Sequence, residues 1–142
     1  MKKEGTVILL DADEEHCKAL RKGLLLAGHK NKCVGFTNSA EAAAYLRENL
    51  HNVFILLQST GTPGVEIANT RNMVYLHESF DTEKLPYMLL ILTQPKDCKE
   101  EQHTFVHSYY RNDTPENLTK TLSDVLSFWK EQLFPPKIRS FV

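Results

Sequence analysis

The sequence has no long hydrophobic run, no clustered cysteines and no block of charge of one sign. Its longest apolar stretch, Tyr87–Leu92, is six residues, whereas a membrane-spanning helix needs ~20, so no membrane role is expected. Cysteine occurs only at Cys17, Cys33 and Cys98. The odd count and wide spacing argue against a disulfide framework and against a cysteine zinc site. Free thiols in a reducing cytosol are the plain reading, so a cytoplasmic location is expected. Lysine and arginine total 17 against 18 acids, a formal net charge of −1, without the basic clusters that nucleic-acid phosphates require. Glycine is scarce, and the Gly61–Gly64 loop lacks the spacing that cradles phosphates. The six histidines are scattered without an acid cluster. His103 and His107 are four apart, but His107 is expected on a strand, where that spacing does not converge on a metal. Neither a metal nor a cofactor is therefore expected. Met1–Gly5 passes directly into a short apolar run followed by acids, without the length or cleavage site of a secretory signal. One further absence gains meaning only from the fold: no aspartate occurs between Asp13 and Asp81.

What is present describes one domain. At 142 residues, 42% apolar and 25% charged, the chain can bury a core without staples. Thr6–Leu10 is a short apolar run of the kind buried on both faces of a parallel sheet. Glu14–Ala27 follows with Cys17, Leu20, Leu24 and Ala27 at helical spacing, Asp13 placed to cap it and Gly28 to end it. Lys32–Phe36 reads as a second strand. Asn38 or Ser39 then caps a helix over Glu41–Glu48 with Ala42, Tyr45 and Leu46 inward. Val53–Leu57 is the third strand, and Ser59–Gly64 a loop on its turn chemistry. A helix is expected over Val65–Glu78, a fourth strand over Pro86–Thr93, a short helix around Asp97–His103 and a fifth strand over Phe105–Tyr110. Thr114 caps a last helix with Pro115 at its first position. Its stripe of Leu118, Leu122, Val125, Leu126, Trp129 and Leu133 has a period of 3.6, and Phe134-Pro135-Pro136 stops it.

Strands alternating with helices imply an α/β fold, a five-stranded doubly wound parallel sheet covered on both faces, for which 2-1-3-4-5 is the natural order. The functional crevice of such a sheet lies at the carboxyl ends of its strands. Here those ends carry Asp11, Leu57–Ser59, Thr93 and Tyr110–Arg111.

Those residues resemble the response-regulator receiver domains of two-component signalling, a CheY-like, flavodoxin-like family. The resemblance runs over roughly residues 6–134 and rests on order and spacing. It is carried by Ile8–Glu15 (ILLDADEE), Leu24–His29 (LLLAGH), Phe36–Ala44 (FTNSAEAAA), Val53–Leu57 with Pro63-Gly64 after it, and Leu89–Thr93 (LLILT). It implies a receiver-like domain over 1–134, with 135–142 as a tail or the start of a linker.

In that family an aspartate ending strand three accepts a phosphoryl group. Two acids after strand one hold magnesium, and a Thr or Ser after strand four and a Lys after strand five contact the phosphate. Carried over residue by residue, Asp11 matches the first acid and Ala12 stands where the second should be. Asp13 matches a frequent third acid, though a helix cap explains it as well. At the end of strand three, counting back from Pro63 selects Ser59, and counting along the strand selects Leu57 or Gln58. None is an acid, so the acyl-phosphate nucleophile is missing in every register. Thr93 matches the hydroxyl position and Arg111 best matches the lysine, with Tyr110 in its place if the register slips, and Asp11 and Arg111 are a candidate ion pair. The stretch from Thr93 to Arg111 is about one helical turn short of the family norm, so a shortened fourth helix is expected. That rebuilds the surface where His107, Tyr109 and Tyr110 are candidate contacts for a partner.

The reading is of a degenerate receiver, a pseudo-receiver. It would be a signalling module that regulates by protein–protein interaction without phosphorylation, and not an enzyme. Its partner would be a kinase, an output domain or another regulator, with a homodimer as one option and no nucleic acid bound by this domain. The alternatives are a receiver phosphorylated at a residue other than Asp, such as Ser59, and a flavodoxin-like protein that binds a small ligand in the crevice.

Overall fold

The computed structural model describes residues 3–59, 87–93, 108–111 and 114–131. Its elements are β1 (Thr6–Leu10), α1 (Glu14–Leu26), β2 (Cys33–Phe36), α2 (Ser39–Glu48), β3 (Val53–Ser59), β4 (Met88–Thr93), β5 (Ser108–Arg111) and α3 (Pro115–Lys130). The strands form one five-stranded sheet of order β2-β1-β3-β4-β5, parallel at every pairing. This is the doubly wound α/β sheet that the strand pattern implies.

Every residue of β1 and β3 is buried, as a strand covered on both faces requires. Alternate side chains go to opposite layers. Val7, Leu9, Leu57, Leu90 and Leu92 pack with Leu20 and Leu24 of α1 and with Leu118, Leu122 and Leu126 of α3. Ile8, Leu56 and Leu89 pack on the other face with Ala43 and Leu46 of α2, where Leu10 meets Ala42.

The helix ends follow their capping residues. Asp13 Oδ1 accepts from the His16 N–H at 3.2 Å, and Glu14 and Glu15 occupy the first turn, where the helix dipole favours negative charge. Gly28 closes α1 with φ 94°, a left-handed conformation that glycine adopts without strain. Asn38, not Ser39, caps α2, its Oδ1 accepting from the Glu41 N–H at 2.9 Å. Thr114 Oγ1 accepts from the Asn117 N–H at 3.4 Å to start α3.

At its other end α3 is held by His29. His29 Nε2 lies 2.8 Å from Ser123 Oγ, and Lys130 Nζ is 3.4 Å from His29 Nδ1. An ammonium only donates, so Nδ1 accepts and Nε2–H donates to the serine. Burial first, and then the Lys130 charge, hold the His29 pKa below the ordinary imidazole value, which favours this neutral tautomer.

Gly23 sets how closely α1 approaches α3. A Cβ there would lie 2.4 Å from Thr119 Cγ2 and 2.6 Å from its Oγ1. Thr119 cannot turn away freely, because its Oγ1 donates to the Pro115 carbonyl at 2.7 Å. Gly23→Ala gains about 1 kcal/mol of helix propensity but overpacks the interface by about 1–3 kcal/mol. Net destabilisation is the expected result in urea unfolding. Adding Thr119→Ala removes the two closest atoms but leaves Thr119 Cβ at 3.0 Å, so it should reduce the loss caused by Gly23→Ala, and additive effects would refute the contact.

Two boundaries differ in ways that matter for the site. β3 runs to Ser59, two residues beyond the apolar run, with Gln58 and Ser59 both buried. Their main chain stays in the ladder, Gln58 opposite Ile91 and Ser59 opposite Leu92, so the polarity of the side chains does not end the strand. β5 reaches Arg111. The helices expected over Val65–Glu78 and Asp97–His103, the shortened fourth helix, His107 and the tail 135–142 lie outside the described residues.

Candidate functional site

The carboxyl ends of the strands are aligned by the sheet register. Leu10 lies opposite Phe36 and Gln58, Gln58 opposite Ile91, and Ile91 opposite Tyr109. One step further are Ser59, Leu92 and Tyr110, and then Thr93 opposite Arg111. Asp11 follows Leu10, and its N–H donates to the Phe36 carbonyl at 3.0 Å. Asp11 is therefore level with Ser59, the choice that counting along the sequence leaves open. Ser59 is two residues beyond Leu57 and so shares the face toward α1 and α3, whereas Gln58 shares the face of Leu56. Gln58 is buried, and its Nε2 has no hydrogen-bond partner among the described residues.

Asp11 is committed to its own chain. Its Oδ1 accepts from the Asp13 N–H at 3.0 Å, and its Oδ2 lies 2.6 Å from His16 Nδ1. Both side chains are largely out of water, 14% exposed for Asp11 and 10% for His16. A carboxylate accepts only, so His16 Nδ1 carries the proton. Nε2 is buried and without a partner among the described residues. Asp11, Asp13 and His16 thus close a loop: Asp11 takes the Asp13 N–H, Asp13 takes the His16 N–H, and the His16 ring returns to Asp11.

His16 is the residue that sequence reasoning passed over, counting it only among scattered histidines. The signal was its place at the third position of a helix capped by Asp13. A side chain there reaches back over the helix start, as the acid of a capping box does, and the residue it meets is Asp11. The expected Asp11–Arg111 pair falls on the Arg111 side chain, which lies outside the described residues.

Cys17 lies directly beneath this end of the sheet, its Sγ 3.8 Å from the Leu9 carbonyl oxygen and 3.9 Å from that of Asp11. Burial, reinforced by the Asp11 and Asp13 charges, pushes its thiol up to about 11. It is a packing residue and not a nucleophile.

Magnesium, which the resemblance implies, does not fit the described residues. The ion needs about six oxygens in a strict octahedron, with carboxylates among them. Asp11 has both oxygens engaged, Ala12 offers no side-chain ligand, and one Asp13 oxygen caps α1. No group of three His, Cys, Asp or Glu side chains is placed to hold a metal ion among the described residues. Nor is any described helix long and apolar enough to cross a membrane.

No family model and no curated protein matches the chain. Solved structures do. A response regulator receiver domain from Rhodospirillum rubrum superposes with a TM-score of 0.68 at 18% identity, over 95% of this chain and 99% of that one. A phosphorylated cyanobacterial phytochrome response regulator gives 0.70 at 17% identity, over 92% and 98%. A CheY-like receiver domain protein from Methanospirillum hungatei gives 0.67 at 15%, over 91% and 99%. The described sheet, its strand order and these superpositions together give this chain the fold of a response-regulator receiver domain.

Proposed function

We propose that the chain is a signalling module of receiver type that works through protein contacts and without aspartyl phosphate. The observation that carries this reading is the state of Asp11. The acid that would help to hold a metal is instead closed onto α1 by His16 and the Asp13 N–H. Level with it, where a nucleophilic carboxylate would be needed, is Ser59. A hydroxyl cannot form an acyl phosphate. Ser59 is also only 3% exposed, which disfavours its modification by a kinase. With phosphoryl chemistry removed, what a receiver fold retains is its surface, so a protein partner is the function this chain is best fitted for. The sheet edge bearing Tyr109 and Tyr110 remains a candidate contact, as aromatic side chains often anchor interfaces.

The test is incubation of the chain with acetyl phosphate and magnesium, followed by intact-mass measurement and hydroxylamine treatment. No hydroxylamine-labile phosphoryl adduct is expected. Magnesium with beryllofluoride should likewise leave the amide resonances of Asp11, Ser59 and Thr93 unmoved. A stoichiometric labile adduct would overturn the reading, and a hydroxylamine-stable one on Ser59 would replace it with serine phosphorylation.

A further inference from the structure

β2 is an edge strand of the sheet, and its outer side is open among the described residues. The Val7 N–H donates to the Lys32 carbonyl at 2.8 Å and the Asp11 N–H to the Phe36 carbonyl at 3.0 Å. In a parallel ladder alternate residues bond to the same neighbour, so Lys32, Val34 and Phe36 turn their peptide groups toward β1. Cys33 and Gly35 turn theirs outward, and nothing among the described residues bonds to them. Their side-chain positions face α1, where a Cβ on Gly35 would come within 3.2 Å of Cys17 Cβ. The outward peptide groups therefore lie along a groove between β2 and α1.

At its Cys33 end that groove is basic. Its larger part, about 340 Å³, is walled by Lys18, Arg21 and Lys22 of α1 and reaches Asn31 and Cys33, with no acid in its lining. Past Lys18 and Arg21 it continues into a part of about 220 Å³ beside Gly35, where Glu14 and Glu41 also line it and the charges balance. Lys18 is spent on Glu14 and Glu15, at 3.7 and 3.5 Å. Arg21 and Lys22 have no carboxylate within 4.0 Å among the described residues. The Arg21 charge acts on both Cys17 and Cys33, holding down thiol pKa values that burial raises, as expected of a guanidinium lying along the groove. Asn31, at the end of this lining, donates Nδ2–H to the Lys3 and Gly5 carbonyls at 3.0 and 2.8 Å.

These features narrow the occupant. Unpaired strand edges take another strand, and unpaired cations call for acids. A second copy of this edge would bring Lys30, Lys32, Arg21 and Lys22 against the same charges. The chain's own segment 132–142 carries Lys137 and Arg139 and no acid.

We propose that an extended acidic segment of a partner protein adds as a strand to the free edge of β2, its acidic side chains meeting Arg21 and Lys22. The proposal deepens the protein-contact reading above and rests on it.

The test uses the whole chain and a fluorescein-labelled peptide of alternating Glu and Val, seven residues long, at low salt and without any phosphodonor. Saturable binding by anisotropy is expected, with slowed amide exchange at Cys33 and Gly35. Arg21→Glu with Lys22→Glu, both exposed and so not expected to disturb folding, should weaken binding at least about tenfold, in line with the loss of two charge contacts. N-methylation of alternate peptide residues should abolish it, and a Lys-for-Glu peptide should not bind. Absence of binding, binding indifferent to the charge reversal or to N-methylation, or concentration-dependent self-association through β2 would each overturn the proposal. Because the binding is measured on unmodified protein, these failures are separate from the appearance of an acyl phosphate, which alone would remove the broader reading.

Discussion

Introducing aspartate at positions 12 and 59 together should make the stability of this chain depend on magnesium. Ala12 is exposed, so Ala12→Asp costs little. Ser59→Asp places a carboxylate at a position 3% exposed, level with Asp11. Two carboxylates with little water between them repel strongly, and an uncompensated buried charge costs roughly 3–5 kcal/mol. A divalent cation relieves that repulsion, and one present at a hundred times its dissociation constant returns about 2.7 kcal/mol. Urea unfolding of the double variant should therefore show a large loss without magnesium and recovery of much of it with magnesium, whereas the natural chain should not respond. Adding His16→Ala should strengthen the response by releasing Asp11 Oδ2 from the ring that holds it at 2.6 Å. A magnesium-indifferent double variant, with His16 present or removed, would mean that Asp11 and Ser59 do not share a site.

The second large effect separates three neighbouring leucines. Leu24 is fully buried between the sheet and α3, while Leu25 and Leu26 are 68% and 77% exposed. Leu24→Ala should cost about 2–5 kcal/mol through lost burial and the cavity left behind, which in a domain of this size lowers the melting temperature by roughly 10 °C. Leu25→Ala and Leu26→Ala should stay within about 0.5 kcal/mol of the natural chain. Calorimetry on the three variants checks this, and equal losses at all three would mean that α1 is rotated from the orientation described.

The reason for such a contrast within three residues is visible in the sequence. Cys17, Leu20 and Leu24 recur at helical spacing, and all three are buried. Thr6–Leu10 and Val53–Leu57 are apolar without interruption and are buried throughout. Periodicity and burial are local in origin, because each residue's place on its element follows from its distance along the chain. The caps were equally legible, since Asp13 and Thr114 act on N–H groups three residues away. At α2 the choice between Asn38 and Ser39 needed the backbone geometry.

The site was only partly legible. That no aspartate stands at the end of β3 is evident from the order of residues alone. Which residue faces Asp11 was not, because a one-residue slip in register exchanges the faces of a strand, and Leu57, Gln58 and Ser59 give no local sign of where β3 ends. The ladder with β4 extends the strand through Gln58 and Ser59 and so selects Ser59. His16 escaped notice because its partner is defined by the turn between β1 and α1 and not by a motif.

The amino-acid order by itself determined the doubly wound class, the burial of β1 and β3 and the absence of any aspartate between Asp13 and Asp81, because these follow from spacing and chemical type. Only the tertiary structure decided that Ser59 stands level with Asp11, that His16 closes over that acid, and that, among the described residues, the outer edge of β2 lies open beside Arg21 and Lys22. Those depend on register and on the docking of α1, which are set by contacts between residues far apart in the chain.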